Sequence, residues 1–275
     1  MDYKEALGLG ALSKAAGILA KEPKKIFYIV LFDILFLFSY GFFVQTFLNK
    51  NLEYIISMAS YFSQESAGIT REYLQKGLFS FINETPGFAK LFYPFLGVSI
   101  LAVLSFYILY VLFQGLSWRA SKSEQISISE YLKTFARVNV PWLILLLIIQ
   151  SISLLTIYLN MVSERLGMPF PFDAYNAVII LSSLVLAYFA LISYGLIGNQ
   201  KKVLSRTFYI GFVRIFSIIP KYLLIILMFI VLFKALEYLQ LFNHYLMVGI
   251  GFVAVMPAIA LAKVYTNIII KKEGG

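Results

Sequence analysis

A chain of 275 residues that is 60% hydrophobic and only 13% charged is not a soluble globular domain, which carries about 25% charged residues. Its 23 Lys/Arg against 14 Asp/Glu give a net charge of +9, and it has one histidine and no cysteine. That excludes disulfides and thiolate chemistry and leaves zinc sites almost without ligands, so no metal and no cofactor is expected. Six apolar runs, at 26–48, 91–116, 141–160, 174–197, 222–241 and 246–270, are each long enough to cross a ~30 Å hydrocarbon core as a helix. The expectation is an all-α polytopic membrane bundle of six transmembrane helices, forming one integral membrane domain over 1–275.

Residues 1–25 precede the first run without the short apolar core and small-residue cleavage site of a secretory leader, so the first span reads as an uncleaved signal anchor. In this segment Leu7, Leu12, Ala15, Ala16, Ile18 and Leu19 alternate at helical spacing with Lys4, Lys14 and Lys21, the pattern of an interfacial helix. The long segment 49–90 carries two apolar faces, one on Leu52, Ile55, Ile56, Ala59 and Phe62 and one on Ile69, Tyr73, Leu74, Leu78, Phe81 and Ile82. It is expected to form two short external helices broken at Ser66-Ala67-Gly68. Asn83-Glu84-Thr85 matches a glycosylation sequon, which the following Pro86 weakens.

Sixteen of the 23 Lys/Arg lie before the first span, between spans two and three, between spans four and five, or after the sixth. Lys50, Arg71, Lys76, Lys90 and Arg165 fall on the other side, and Lys234 and Lys263 fall within spans. The positive-inside rule then places both termini in the cytoplasm of a multi-pass cell-membrane protein. Because the basic excess tracks topology, nucleic-acid binding has no independent support. Membrane lipids with anionic headgroups at the cytoplasmic face are the expected partners, together with a protein partner or a second copy of the chain. Trp118 and Trp142, at the cytoplasmic ends of spans two and three, are expected in an aromatic belt.

Three cytoplasmic segments share one pattern: an amphipathic stretch, a proline, then an apolar run. The first ends at Pro23. The second sets Tyr131, Leu132, Phe135 and Val138 against Glu130, Lys133, Thr134 and Arg137 before Pro141; the third sets Phe208, Phe212, Ile215 and Phe216 against Lys201, Lys202, Arg206 and Arg214 before Pro220. Each proline suits a first helical turn, so the chain is expected to be three transmembrane hairpins, each preceded by an amphipathic interfacial helix. Segments such as Ser205-Arg206-Thr207-Phe208-Tyr209-Ile210-Gly211-Phe212 and Glu130-Tyr131-Leu132-Lys133-Thr134-Phe135 resemble those of prokaryotic six-helix membrane proteins, a group that includes the membrane domain attached to some glycerophosphoryl diester phosphodiesterases. The resemblance implies architecture only and no catalytic residue, since the soluble phosphodiesterase domain is not in this sequence.

Charges within a bilayer need a partner or a function. Asp33 lies seven residues into the first span and Lys263 seven residues from the end of the sixth, which sets both about 10 Å inside the same boundary at ~1.5 Å per residue. They are predicted to pair, as a proton or ion relay or as a structural bridge fixing helix register. Lys234 and Glu237, three apart on the fifth span, form a second candidate pair. Pro257, with Gly249 and Gly251 nearby, marks a candidate hinge in the sixth span, where Ala254, Ala258 and Ala262 make a narrow face suited to close helix approach.

No enzyme motif emerges. His244 is the sole histidine, no HExxH occurs, and Gly115-Leu116-Ser117-Trp118-Arg119 lacks the closing glycine of a nucleophile elbow. A small-solute or lipid-related transport component leads the functional expectations. A non-catalytic accessory or scaffolding protein, working through its external helices or basic inner belt, comes close behind. An intramembrane lipid enzyme is third.

Overall fold

The computed structural model describes residues 8–64, 85–122, 126–166, 171–198, 202–242 and 244–274. Among them all regular structure is helical. α1 (Leu9–Lys21) is followed, after Glu22, by α2 (Pro23–Ser39), which continues through a π-helical turn (Tyr40–Val44) into α3 (Gln45–Gln64). α4 (Pro86–Leu109) runs likewise through a π-helical turn (Tyr110–Gln114) into α5 (Gly115–Ala120). α6 (Ile128–Leu166), α7 (Phe172–Leu196), α8 (Val203–Val213), α9 (Ile215–Phe242) and α10 (His244–Gly274) complete the order. Six helical stretches are long and apolar enough to span a membrane, so the chain is an all-α polytopic bundle and an integral membrane protein. Rows of large apolar side chains stay exposed on these helices, among them Phe38, Leu104, Ile148, Leu181, Leu227 and Val253, as lipid-facing positions should.

The chain divides into two compact units. One is Ile34–Leu112, in which α3 packs along α4. Asn51, buried on α3, donates its side-chain amide to Ser99 Oγ at 3.0 Å, and Phe36, Tyr40, Phe106 and Tyr110 cluster with ring centroids 5.7–6.2 Å apart. The separate external helix expected after residue 49 is instead the continuation of the first span. The segments of 17, 5 and 20 residues form one helical stretch, about 60 Å at ~1.5 Å per residue and twice a hydrocarbon core. Its expected apolar face is outward, with Leu52, Ile55 and Ile56 exposed and Asn51 turned in. No glycine or proline interrupts 45–64, so nothing in the backbone stops the helix at the membrane boundary. The second expected external helix, the Ser66-Ala67-Gly68 break and Asn83-Glu84 of the sequon lie outside the described residues.

The other unit comprises Met1–Asp33 and Phe113–Gly275. Its most extensive pairings are sequential, α6 with α7 and α9 with α10, and α10 also packs against α1 and α7. Two glycines admit close approach: a Cβ on Gly195 would lie 2.8 Å from Ile270 Cβ, and one on Gly115 would lie 2.6 Å from Leu132 Cδ2. Gly198, at φ 97, takes the left-handed conformation just past the end of α7.

The amphipathic segments differ from one another more than their sequences suggest. α1 is a separate helix ending before Pro23, but Pro141 lies inside the unbroken 39-residue α6, and Pro220 lies inside α9, whose break from α8 falls at Arg214 (φ −104). In α6 the packing on both sides of Pro141 carries the helix through: Tyr131, Phe135, Val138, Asn139 and Trp142 are all buried, so that face turns into protein rather than lipid. On α8, by contrast, Phe208 and Phe212 stay exposed while Val203, Thr207, Ile210 and Gly211 are buried. The sixth span buries Met256, Ala260 and Val264 rather than the Ala254, Ala258 and Ala262 stripe.

Candidate functional site

Three pairs of residues four apart converge inside the larger unit: Ile29 and Asp33 on α2, Ser117 and Ser121 on and just past α5, and Lys263 and Asn267 on α10. Four-residue spacing puts each pair on one helix face, so three helices present matched rungs to one another. Lys263 Nζ donates to Asp33 Oδ1 at 2.6 Å, to Ser117 Oγ at 2.6 Å and to Gln114 Oε1 at 3.0 Å. Gln114 Nε2 donates in turn to Asp33 Oδ1 at 2.9 Å, and Ser117 Oγ donates to the Ile29 carbonyl at 3.3 Å. One turn on, Asn267 Nδ2 donates to Ser121 Oγ at 2.7 Å, and Ser121 donates to the Trp118 carbonyl at 2.6 Å.

Gln114 is the last residue of the π-helical turn that precedes α5. One widened turn shifts the register of the helix beyond it, and here Gln114 and Ser117 both face the ammonium. The Trp118 ring lies 5.8 Å from Lys263 Nζ, close enough for a cation–π contribution. Asp33, Lys263 and Ser117 are 4%, 5% and 0% exposed, so the charges are held in a medium that screens them little. Asp33 Oδ2 and Asn267 Oδ1 are buried with no hydrogen-bond partner among the described residues.

An aromatic and amide layer borders this cluster. The Trp118 ring lies 5.2 Å from that of Tyr194, tilted by 57°, and Tyr194 lies 5.0 Å from the Phe135 ring and donates its hydroxyl to Asn139 Oδ1 at 2.5 Å. Trp142 Nε1 donates to Ser193 Oγ at 3.1 Å. Both tryptophans are buried, so neither forms the expected interfacial belt: each finds its partners in protein rather than at the headgroup level.

The remaining sequence candidates stand apart from this centre. Lys234 and Glu237 meet at 2.6 Å, but on the outside of α9, with side chains 66% and 64% exposed. Pro257, Gly249 and Gly251 fall within the continuous helix α10; Gly249 faces open space, and Gly251 lies near Leu236. Among the described residues no group of three or more His, Cys, Asp or Glu could hold a metal ion.

Sequence reasoning missed two things. It left Gln114 and Ser117 unconnected to the ion pair, because the second span as read ends at residue 116, which puts Gln114 near its end and Ser117 past it rather than at the depth of Asp33 and Lys263. It also counted Lys221 among the loop cations. Lys221 is buried at the start of α9, where its Nζ meets Glu273 Oε1 at 2.5 Å and Ser217 Oγ at 3.1 Å, while Ser217 donates to Glu273 Oε1 at 2.6 Å. No local pattern joins Ser217 to a carboxylate 56 positions away.

Compared with protein-family models, with curated proteins and with solved structures, the chain matches none.

Proposed function

We propose that this protein is a non-catalytic accessory or scaffolding component of the cell membrane, with both termini in the cytoplasm and its basic end as the working surface toward lipid or a protein partner. Lys263 carries this reading. An ammonium has three N–H donors, and Asp33, Ser117 and Gln114 accept all three, so the charge is spent on holding α2, α5 and α10 in register. A solute path needs polar groups left free for the solute.

The second reading, a small-solute or lipid-related transport component, draws on Asp33 Oδ2. A buried carboxylate oxygen without a partner among the described residues is an acceptor that a proton or a cation could occupy during a cycle.

Proteoliposome flux over a panel of ions and small solutes, measured beside folding stability, separates the two. The accessory reading expects no flux from the wild type, loss of stability in Asp33→Asn and Lys263→Met, and recovery in the double variant. A wild-type flux abolished by well-folded Asp33→Asn would establish transport instead. Orientation is checked in the cysteine-free background: Lys76→Cys should label only from outside the cell and Lys272→Cys only from the cytoplasm.

A further inference from the structure

Where α1 lies against α9 and α10, two cavities succeed one another along the bundle. The first, of about 580 Å³, is lined by Gly8 and Lys14 of the α1 region, Lys221 of α9, and Ile269, Lys271 and Lys272 of α10. The second, of about 270 Å³, is lined by Leu12, by Leu224, Met228 and Val231 of α9, and by Ala262 and Tyr265 of α10. Both helices give the same order. On α9 the basic wall at Lys221 gives way one turn deeper into the span to the apolar wall from Leu224; on α10 Lys271 and Lys272 give way inward to Tyr265 and Ala262.

Among the described residues, the wall of the first cavity carries four lysines and no acidic side chain. Lys221 meets Glu273 just outside it, and Lys14, Lys271 and Lys272 are exposed. α1 also starts at the rim. Gly8 caps that helix in the left-handed conformation (φ 71) with no side-chain cap and no acidic residue in the first turn, so among the described residues no side chain occupies the first amides of α1. A third observation is independent of both. Tyr265 is fully buried, and its hydroxyl has no partner among the described residues. Its ring lines the apolar cavity, and its oxygen lies against Gly8, where a Cβ would approach it to 2.5 Å. An unused donor therefore stands at the wall between the cationic and the apolar space.

We infer that these two cavities form a binding site for an anionic phospholipid, the phosphate among Lys14, Lys271, Lys272 and the first amides of α1, and one acyl chain along the Leu12–Val231 groove. Lysine ammonium groups and open helix amides recognise phosphate oxygens, and a dry groove one turn deeper suits a hydrocarbon tail. A soluble phosphate would use only the first cavity, whereas the exposed apolar side chains Leu227 and Val231 leave the second open on the lipid side. This site serves whether the Asp33–Lys263 pair is a latch or a relay, so its test stands apart from the flux measurement.

The test is native mass spectrometry of the full-length purified chain with dioleoyl phosphatidylglycerol or dioleoyl phosphatidylcholine, counting retained lipids. The wild type should retain phosphatidylglycerol about tenfold more strongly, as a few lysines at about 1 kcal/mol each allow. Lys14→Glu/Lys271→Glu/Lys272→Glu should reduce that preference to near parity. Val231→Trp, which fills the apolar groove from an exposed position, should lower phosphatidylglycerol retention several-fold with every lysine in place. Should the triple variant fail to fold, Lys14→Gln alone should cut the preference about threefold. Equal retention of both lipids by the wild type, or an unchanged preference in a folded charge variant, overturns the site. So does displacement of the lipid by inorganic phosphate with Val231→Trp silent, which would mark a free-anion site.

Discussion

Two lysines in spans, each with an acidic partner, look alike in the sequence and have different physical roles in the fold. Lys234 and Glu237 meet within one turn of α9 with both side chains well exposed, a pair that any helix with a three-residue spacing can form. Lys263 meets Asp33, 230 positions away, and the two are closed in by Gln114 and Ser117. A local pair can be lost without disturbing other helices. A buried, multi-helix pair leaves an uncompensated charge when either partner is removed, and that difference can be measured.

The largest effect is expected from Lys263→Met, which strands Asp33: a loss of about 3–5 kcal/mol in mixed-micelle unfolding, most of it restored when Asp33→Asn is added. If the single variant unfolds like the wild type, the two lysines are equivalent after all. Gly195→Val comes next. A Cβ there meets Ile270 at 2.8 Å, so the α7–α10 contact that positions the end of α10 should lose about 1–3 kcal/mol. Ser117→Ala removes one of the three acceptors and leaves the ion pair, for a loss of about 1 kcal/mol by the same assay. Lys234→Met should leave the unfolding midpoint unchanged, and a clear drop would show that the exposed pair holds more than its own turn.

The sequence shows a centre most clearly where chemistry forbids alternatives. An aspartate and a lysine at equal depth in a bilayer have few ways to be accommodated, and their separation from each helix end is a simple count. Gln114 and Ser117 were less legible because a neutral polar residue near a span end has water and headgroups as alternative partners. Their role depends on the π-helical turn that sets the face of α5, and no residue pattern in Tyr110–Gln114 announces it. The prolines misled for a related reason. Pro23 does separate two helices, but at Pro141 and Pro220 helix continues through, since flanking contacts outweigh the missing hydrogen bond.

By itself the sequence determined that the chain is helical and that it carries six runs able to span a membrane, because hydrocarbon thickness and the need to satisfy every backbone amide leave no other arrangement for apolar runs of this length. Only the tertiary structure decided which faces turn inward. Tyr131, Phe135 and both tryptophans became core, Leu52 and Ile55 remained exposed, and Lys221 found Glu273. In lipid, apolar side chains are nearly as well placed outside a bundle as within it. The choice of face therefore falls to close packing and to hydrogen bonds between helices, which depend on partners far away in the chain.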